Sequence, residues 1–380
     1  MVTMYTTPMQ PDWERALDRW QQAGLLDAAA VERIQAFEQQ DAGPPGLRWP
    51  VIVALVFGGL MLGAGVLLFV AAHWDTLSPS ERFTLVAMMV AVFHIAGAVT
   101  AQYSENFAIT LHGIGTAALG AGIFLTGQIF NLQEHWPGGV MLWAAGAWIG
   151  WLLRRDWLQF AFAAILTPFW LAGEWIEAFP SPGFEQIRVL MDGLTLLSIT
   201  YFCARTRNQD GMLRNALAWI GGVFLLPCAI VLATEFDLWR GNRGGSAGGR
   251  EVMGYALAFG LPLALAWWLR KRDFWMNAIA AAWVFLLGVI AYSRNIGLFA
   301  WCALGAVGMI AWGVREGRSE RVNMGMAGFA LTLLFFYFSE VMDKLGRSAS
   351  LIGLGLLFLA GGWALERLRR KLVAHAREIA

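Results

Sequence analysis

The sequence predicts an all-α membrane protein: a polytopic bundle of about twelve transmembrane helices preceded by a short N-terminal cytoplasmic two-helix headpiece. Three observations predict it. Of the 380 residues 58% are hydrophobic and only 14% are charged, against roughly 25% charge in soluble domains, so most of this surface does not face water. Apolar runs follow one another from Pro50 to the closing basic tail, each close to the ~20 residues that a hydrocarbon core of ~30 Å requires. The runs lack the period-two alternation of strands, and a helix satisfies its own backbone polar groups in lipid. The 20 Trp agree, since an indole favours the headgroup zone, where its ring is buried and its N–H stays wet.

Residues 1–48 read as the headpiece and its linker. Trp13, Leu17 and Trp20 recur at helical spacing, and Gly24 ends that helix because glycine enters the left-handed cap cheaply. Asp27 caps a second helix with Val31, Ile34 and Phe37 on its inner face, and Gly43-Pro44-Pro45-Gly46 breaks the chain before the membrane. The membrane domain, 49–366, holds spans at 50–72, 83–101, 107–129, 138–153, 157–178, 187–204, 215–234, 252–269, 275–292, 297–313, 322–339 and 349–365, of which the fourth and tenth are short. Ser78-Pro79-Ser80-Glu81 marks the start of the second helix, with a capping serine, a proline at the first helical position and a glutamate at the third. Pro168, Pro227 and Pro262 fall inside spans five, seven and eight, where they can kink or break them. Residues 367–380 form a basic cytoplasmic tail. No basic segment leads into a short apolar core at the N-terminus, so the first apolar segment is expected to stay as a membrane helix.

Basic residues set the orientation. Arg154 and Arg155, then Arg205, Arg207 and Arg214, then Arg270, Lys271 and Arg272, then Arg315, Arg318 and Arg321 fall in alternate loops, and the tail adds Arg367, Arg369, Arg370, Lys371 and Arg377. The positive-inside rule then puts both termini in the cytoplasm, although Arg240, Arg243 and Arg250 cluster in a Gly-rich outer loop.

Several function classes fall away. The 28 basic and 27 acidic residues nearly cancel, so no global basic field awaits nucleic acid. Cys203, Cys228 and Cys302 sit singly in apolar runs without CxxC spacing and read as small core residues. There is no Walker A sequence, HExxH, GxSxG or dinucleotide fingerprint, and no Ser/His/Asp set stands out. No enzyme activity, cofactor or metal is expected.

Polar groups inside or at the rims of the spans are the candidate site residues, because each is costly in lipid. His94 and His112 lie roughly 8–10 Å deep from the same side of adjacent helices, by the helical rise; an imidazole pair at one depth can relay protons, or each ring satisfies a local carbonyl or hydroxyl such as that of Thr110 or Thr116. Asp192 is the acid inside an apolar run; it can pair with Arg188 one turn earlier or contact a substrate or cation. His73, Asp75, Gln128, Asn131, Glu134 and His135 follow spans one and three, and Glu174, Glu177, Glu235, Asp237, Glu340 and Asp343 end later spans on the same side. With Asp192 they form a candidate acidic, outward-facing vestibule, which favours cations or amines; ordinary solvated helix ends are the plainer reading. Gly59 with Gly63 and Gly146 with Gly150 are GxxxG pairs for close helix contact. LGAG at Leu62–Gly65 and Leu119–Gly122 is either a chance match or a trace of parallel duplication.

Four stretches carry a resemblance: LDRWQQAGLLDAAAVERI in the headpiece, AAHWDTLSPSERF after the first span, LTGQIFNLQEHW at the end of the third, and RSASLIGLGLLFLAGGWALERLRRKL at the close. In this order they resemble the domain-of-unknown-function 2157 family of predicted bacterial membrane proteins. The resemblance implies a short helical headpiece joined to a many-helix membrane region, and implies no activity. The leading expectation is a transporter-like or lipid-handling protein with a polar site open to the outer face, holding a small molecule or a lipid. The alternative is a non-catalytic membrane scaffold or sensor whose headpiece binds a cytoplasmic protein. Membrane lipids are the expected surroundings in both.

Overall fold

A computed structural model describes residues 20–41, 77–130, 135–179, 183–206, 210–234, 248–291 and 296–341, with isolated positions between 17 and 72 and between 355 and 367. Among the described residues there is no β-strand. Spans one and twelve (apart from isolated positions), the 43–46 linker, most of the Gly-rich loop and the basic tail lie outside them, as do Gly59, Leu62 and Gly63.

Near the N-terminus, α1 runs Ala28–Asp41. Asp27 Oδ1 accepts from the amide of Ala30 at 2.6 Å, and Gly24 has φ of 69°. Among the described residues ten further helices overlie the second to eleventh predicted spans: α2 Pro79–Thr100, α3 Glu105–Ile129, α4 Trp136–Arg154, α5 Trp157–Glu177, α6 Phe184–Phe202, α7 Met212–Thr234, α8 Gly249–Arg270, α9 Trp275–Ala291, α10 Ile296–Glu316 and α11 Ser319–Phe336. α4 and α10, expected to be short, have 19 and 21 residues, because their first or last turns are Trp136-Pro137 and Val314-Arg315-Glu316, which a hydropathy reading trims. The helices run on through Pro168, Pro227 and Pro262 without breaking.

The start of α2 is the predicted capping box: Ser78 N–H donates to Glu81 Oε2 at 2.7 Å, and Glu81 N–H donates to Ser78 Oγ at 3.3 Å. Along α2, Val86, Met89, Phe93 and Gly97 are buried while Met88, Val92, Ile95 and Val99 are exposed. Both stripes are apolar. A surface helix in water would carry polar residues on its outer face, so an apolar outer face marks lipid as the solvent.

Neighbours in sequence pair as helical hairpins: α2 with α3, α4 with α5, α6 with α7, and α10 with α11. α3 also packs on α4 and α5, α5 on α7, and α8 on α6. α9 touches α6, α7 and α10 around the largest buried apolar cluster, which includes Leu196, Leu232, Val284 and Leu287. By length and composition, α2, α3, α7, α8 extended to Asp273, α10, and α11 extended to Ser339 are apolar enough to cross a membrane. α9 is an apolar helix of 17 residues, and α6 is interrupted by Glu185, Arg188 and Asp192.

Four tryptophan rings lie against glycines of facing helices. A Cβ at Gly120, Gly173, Gly254 or Gly305 would overlap the ring of Trp143, Trp136, Trp175 or Trp283, respectively. Each pair joins two helices, so a flat indole lies where the facing helix has no side chain. Several indole N–H groups find interior acceptors: Trp143 donates to the carbonyl of Thr116 at 2.7 Å, and Trp283 and Trp301 donate to each other's carbonyls at 3.0 Å.

Candidate functional site

Short turns bring the two predicted histidines together. The turn between α2 and α3 is four residues, 101–104, so the helices lie side by side and equal distances from the turn meet. His94 Nδ1 and His112 Nδ1 are 3.0 Å apart, one donating and the other accepting. Each ring rests on the opposite helix's backbone: a Cβ at Gly97 would lie 2.9 Å from the His112 ring, and one at Gly115 would lie 2.8 Å from the His94 ring. Thr116 Oγ1 is within reach of the His112 carbonyl at 3.0 Å and of Gln159 Oε1 at 2.8 Å. Gln159 is fixed from below, since its backbone N–H donates at 2.8 Å to the α5-capping Asp156. His112 Nε2 and Gln159 Nε2 are buried without partners. The geometry allows one proton to sit between two imidazoles; two protonated Nδ1 atoms would repel.

Of the six rim residues expected to form a vestibule with Asp192, Gln128 and His135 fall among the described residues. His73, Asp75, Asn131 and Glu134 lie outside the described residues, as do Glu235, Asp237, Asp343 and the side chain of Glu340. Gln128 is exposed near the end of α3. His135 pairs with Glu174, Nε2 to Oε2 at 2.7 Å, and Trp170 Nε1 donates to the other Glu174 oxygen at 2.8 Å. That pair ties the start of α4 to the end of α5. Asp192 is not at this rim: it is 0% exposed, within α6. The nearest cation is Arg188, whose Nε lies 3.7 Å from Asp192 Oδ2.

Sequence reasoning missed a second constellation, at the C-terminal end of α6. A helix leaves its last carbonyls unpaired and carries partial negative charge there. Arginines from α7, α8 and the start of α11 meet the carbonyls of residues 203–206, at and just past that end. Arg270 donates to the Cys203 carbonyl at 2.6 Å, Arg214 to Ala204 at 2.6 Å, Arg318 to Thr206 at 2.6 Å, and Arg321 to both Cys203 at 3.4 Å and Arg205. Glu316 lies between two of them, with one oxygen on Arg270 and the other on Arg321 at 2.6 Å, while Trp312 Nε1 donates to it at 2.6 Å. The Arg270 and Arg321 guanidinium carbons also lie 5.0 and 5.6 Å from the Trp312 ring centre. Further out, Arg205 grips Asp210 with two bonds of 2.8 Å, and Arg318 adds one of 2.9 Å. These bonds, with Arg205's the largest cause, hold the Asp210 carboxyl down at about 2. The signal was in the sequence, as Glu316 among arginines, but it read as orientation charge.

The third feature is a cavity of about 1170 Å³ between α7, α9, α10 and α11. Its walls are almost wholly apolar, including Leu225, Ile230, Ile279, Trp283, Leu298 and Leu331. Arg315 stands at its basic end, 4.9 Å above the Trp275 ring, and Thr234 and Ser339 line it as well. Apolar residues lining a cavity look, in sequence, like those of a core. Among the described residues no group of three His, Cys, Asp or Glu side chains could hold a metal.

Comparison with known proteins supports a membrane protein. Residues 18–159 match the family model described as predicted membrane protein (DUF2157). The resemblance carried by the headpiece and the first three spans holds over those residues. No curated protein and no solved structure matches the chain.

Proposed function

From that membrane-protein match we propose a lipid-handling integral protein of the bacterial inner membrane, with about twelve helices and both termini cytoplasmic. The observation that carries this reading is the apolar cavity between α7, α9, α10 and α11. Ligand pockets are commonly ~300–1,000 Å³ and mostly apolar with few polar groups; this cavity exceeds that range. Its walls suit the hydrocarbon chain of a membrane lipid better than a polar cargo, and Arg315 at its end suits a phosphate headgroup. Basic loops after α6, α8 and α10 meet in one network at one end of the bundle, which supports placing that end on the cytoplasmic side. The His94–His112 pair belongs to the proposal as a proton-sharing element, separate from the lipid groove.

Gly308 lines the cavity, and a Cβ there would meet open space, so Gly308→Phe fills the groove without a clash at its root. Native mass spectrometry of the detergent-extracted protein should show phospholipid retained by the wild type and lost from Gly308→Phe. Exchanging both histidines for Gln should leave that retention unchanged. Equal retention in Gly308→Phe, or none in the wild type, would sink the reading and leave a scaffold or sensor as the better account.

A further inference from the structure

We infer that Asp192 is a proton-binding site inside the helix bundle and that Arg188 is its two-position counter-ion. The inference does not depend on the lipid reading. It starts from an imbalance. Asp192 is 0% exposed, yet neither of its oxygens has a hydrogen-bond partner, and the nearby Arg188 Nε and Thr195 Oγ1 have none either. A buried ionised carboxylate is tolerated when it is paired and hydrogen-bonded; here it has a cation alongside and no bond.

Arg188 is held between two acids on its own helix. Its Nη1 lies 3.6 Å from Glu185 Oε2 and its Nε 3.7 Å from Asp192 Oδ2. Glu185 is 48% exposed at the side chain and accepts from Tyr255 Oη of α8 at 3.1 Å, so it is solvated and supported. The guanidinium carbon sits 5.9 Å from the Tyr255 ring centre and 5.5 Å from that of Phe285 on α9, two faces along which it can slide. From α8 the other charged group nearby is Glu251, engaged by Gln186 at 2.8 Å. From α9 the element against the pair is Gly288, where a Cβ would lie 2.8 Å from Arg188 Nε and 2.9 Å from Asp192 Oδ1. Only a residue without a side chain admits both groups.

When a proton adds to Asp192, the buried charge is removed and Arg188 is left to Glu185. When the proton leaves, the guanidinium is drawn inward. A metal cation is a poor occupant of the same space, because one carboxylate faces it together with a guanidinium. The stripe Glu185, Arg188, Asp192 and Thr195 follows one face of α6, so the proton enters from the exposed Glu185 end.

Infrared difference spectroscopy of the full chain in detergent across a pH series tests this directly. The wild type should show the carbonyl stretch of an unhydrated carboxylic acid appearing as pH falls, and Asp192→Asn should lack it. Glu185→Gln removes a negative neighbour and should move the midpoint to lower pH. Arg188→Gln removes the positive one and should move it up, by roughly one unit or more. Should Asp192→Asn fail to fold, these two opposite shifts decide the matter. A band that persists in Asp192→Asn, a midpoint that neither charge variant moves, or no titrating band in the wild type would overturn the proposal.

Discussion

The two ends of α6 solve one problem in opposite ways. Each holds a carboxylate largely withdrawn from solvent with arginine beside it. At the C-terminal end both Glu316 oxygens are bonded, to Arg270, Arg321 and Trp312, and the arginines reach on to the last carbonyls of α6. At the N-terminal half neither Asp192 oxygen is bonded. The first arrangement is a clamp: it turns unpaired helix-end carbonyls and buried charge into a tie among α6, α8, α10 and α11. The second leaves unmet hydrogen-bonding capacity in a dry place, which is where a proton can come and go. Burial of charge alone does not distinguish structure from function; the bonding of the charged atoms does.

The largest effect should come from breaking the clamp. Glu316→Ala strands Arg270 and Arg321 without their shared carboxylate and should cost about 3–5 kcal/mol, read as a lowered unfolding midpoint in detergent. A midpoint unchanged by that substitution would show the clamp to be ornamental. Next comes Gly288→Ala, which pushes a methyl against Arg188 and Asp192 and should destabilise by about 1–3 kcal/mol. Gly260→Ala, where a Cβ meets open space in the interior of α8, is its control and should not destabilise.

Asp192→Asn should change stability by less than about 1 kcal/mol, far less than Glu316→Ala, because it removes an unbonded charge and leaves Arg188 with Glu185. A loss as large as that of Glu316→Ala would erase the contrast between the two ends. The smallest effect concerns the rim of the clamp. Asp210 is ionised more readily in the folded state, at about 2 against an ordinary 3.8. Its contribution is therefore present above 3.8 and is lost as pH falls through about 2. The side chain is 43% exposed, so the contribution is under about 1 kcal/mol, and Asp210→Asn should flatten only that acid limb of the stability curve.

Much of the fold was legible along the chain. Ser78 to Glu81 announced the start of α2 because a capping box is a local exchange of two hydrogen bonds. The short turn at 101–104 brought His94 and His112 to one level for the same kind of reason: two helices joined so closely must run side by side. Asp192 was visible as an acid in an apolar run, with Arg188 one turn away. What escaped was the partner across the bundle. Nothing near Arg270 in sequence points to Glu316 or to the carbonyl of Cys203, and nothing near Gly254 points to Trp175.

By itself, then, the sequence determined the solvent and the local elements: an apolar chain must take helices in lipid, and their caps and turns are set by neighbours a few residues apart. Only the tertiary structure decided which arginines are bonded into the bundle, which carboxylate stays without a hydrogen bond, and where apolar walls stand apart to leave a cavity. Those outcomes depend on contacts between helices distant in sequence. Arginine, aspartate and leucine are spelled alike whether they close a core, line a groove or face the membrane.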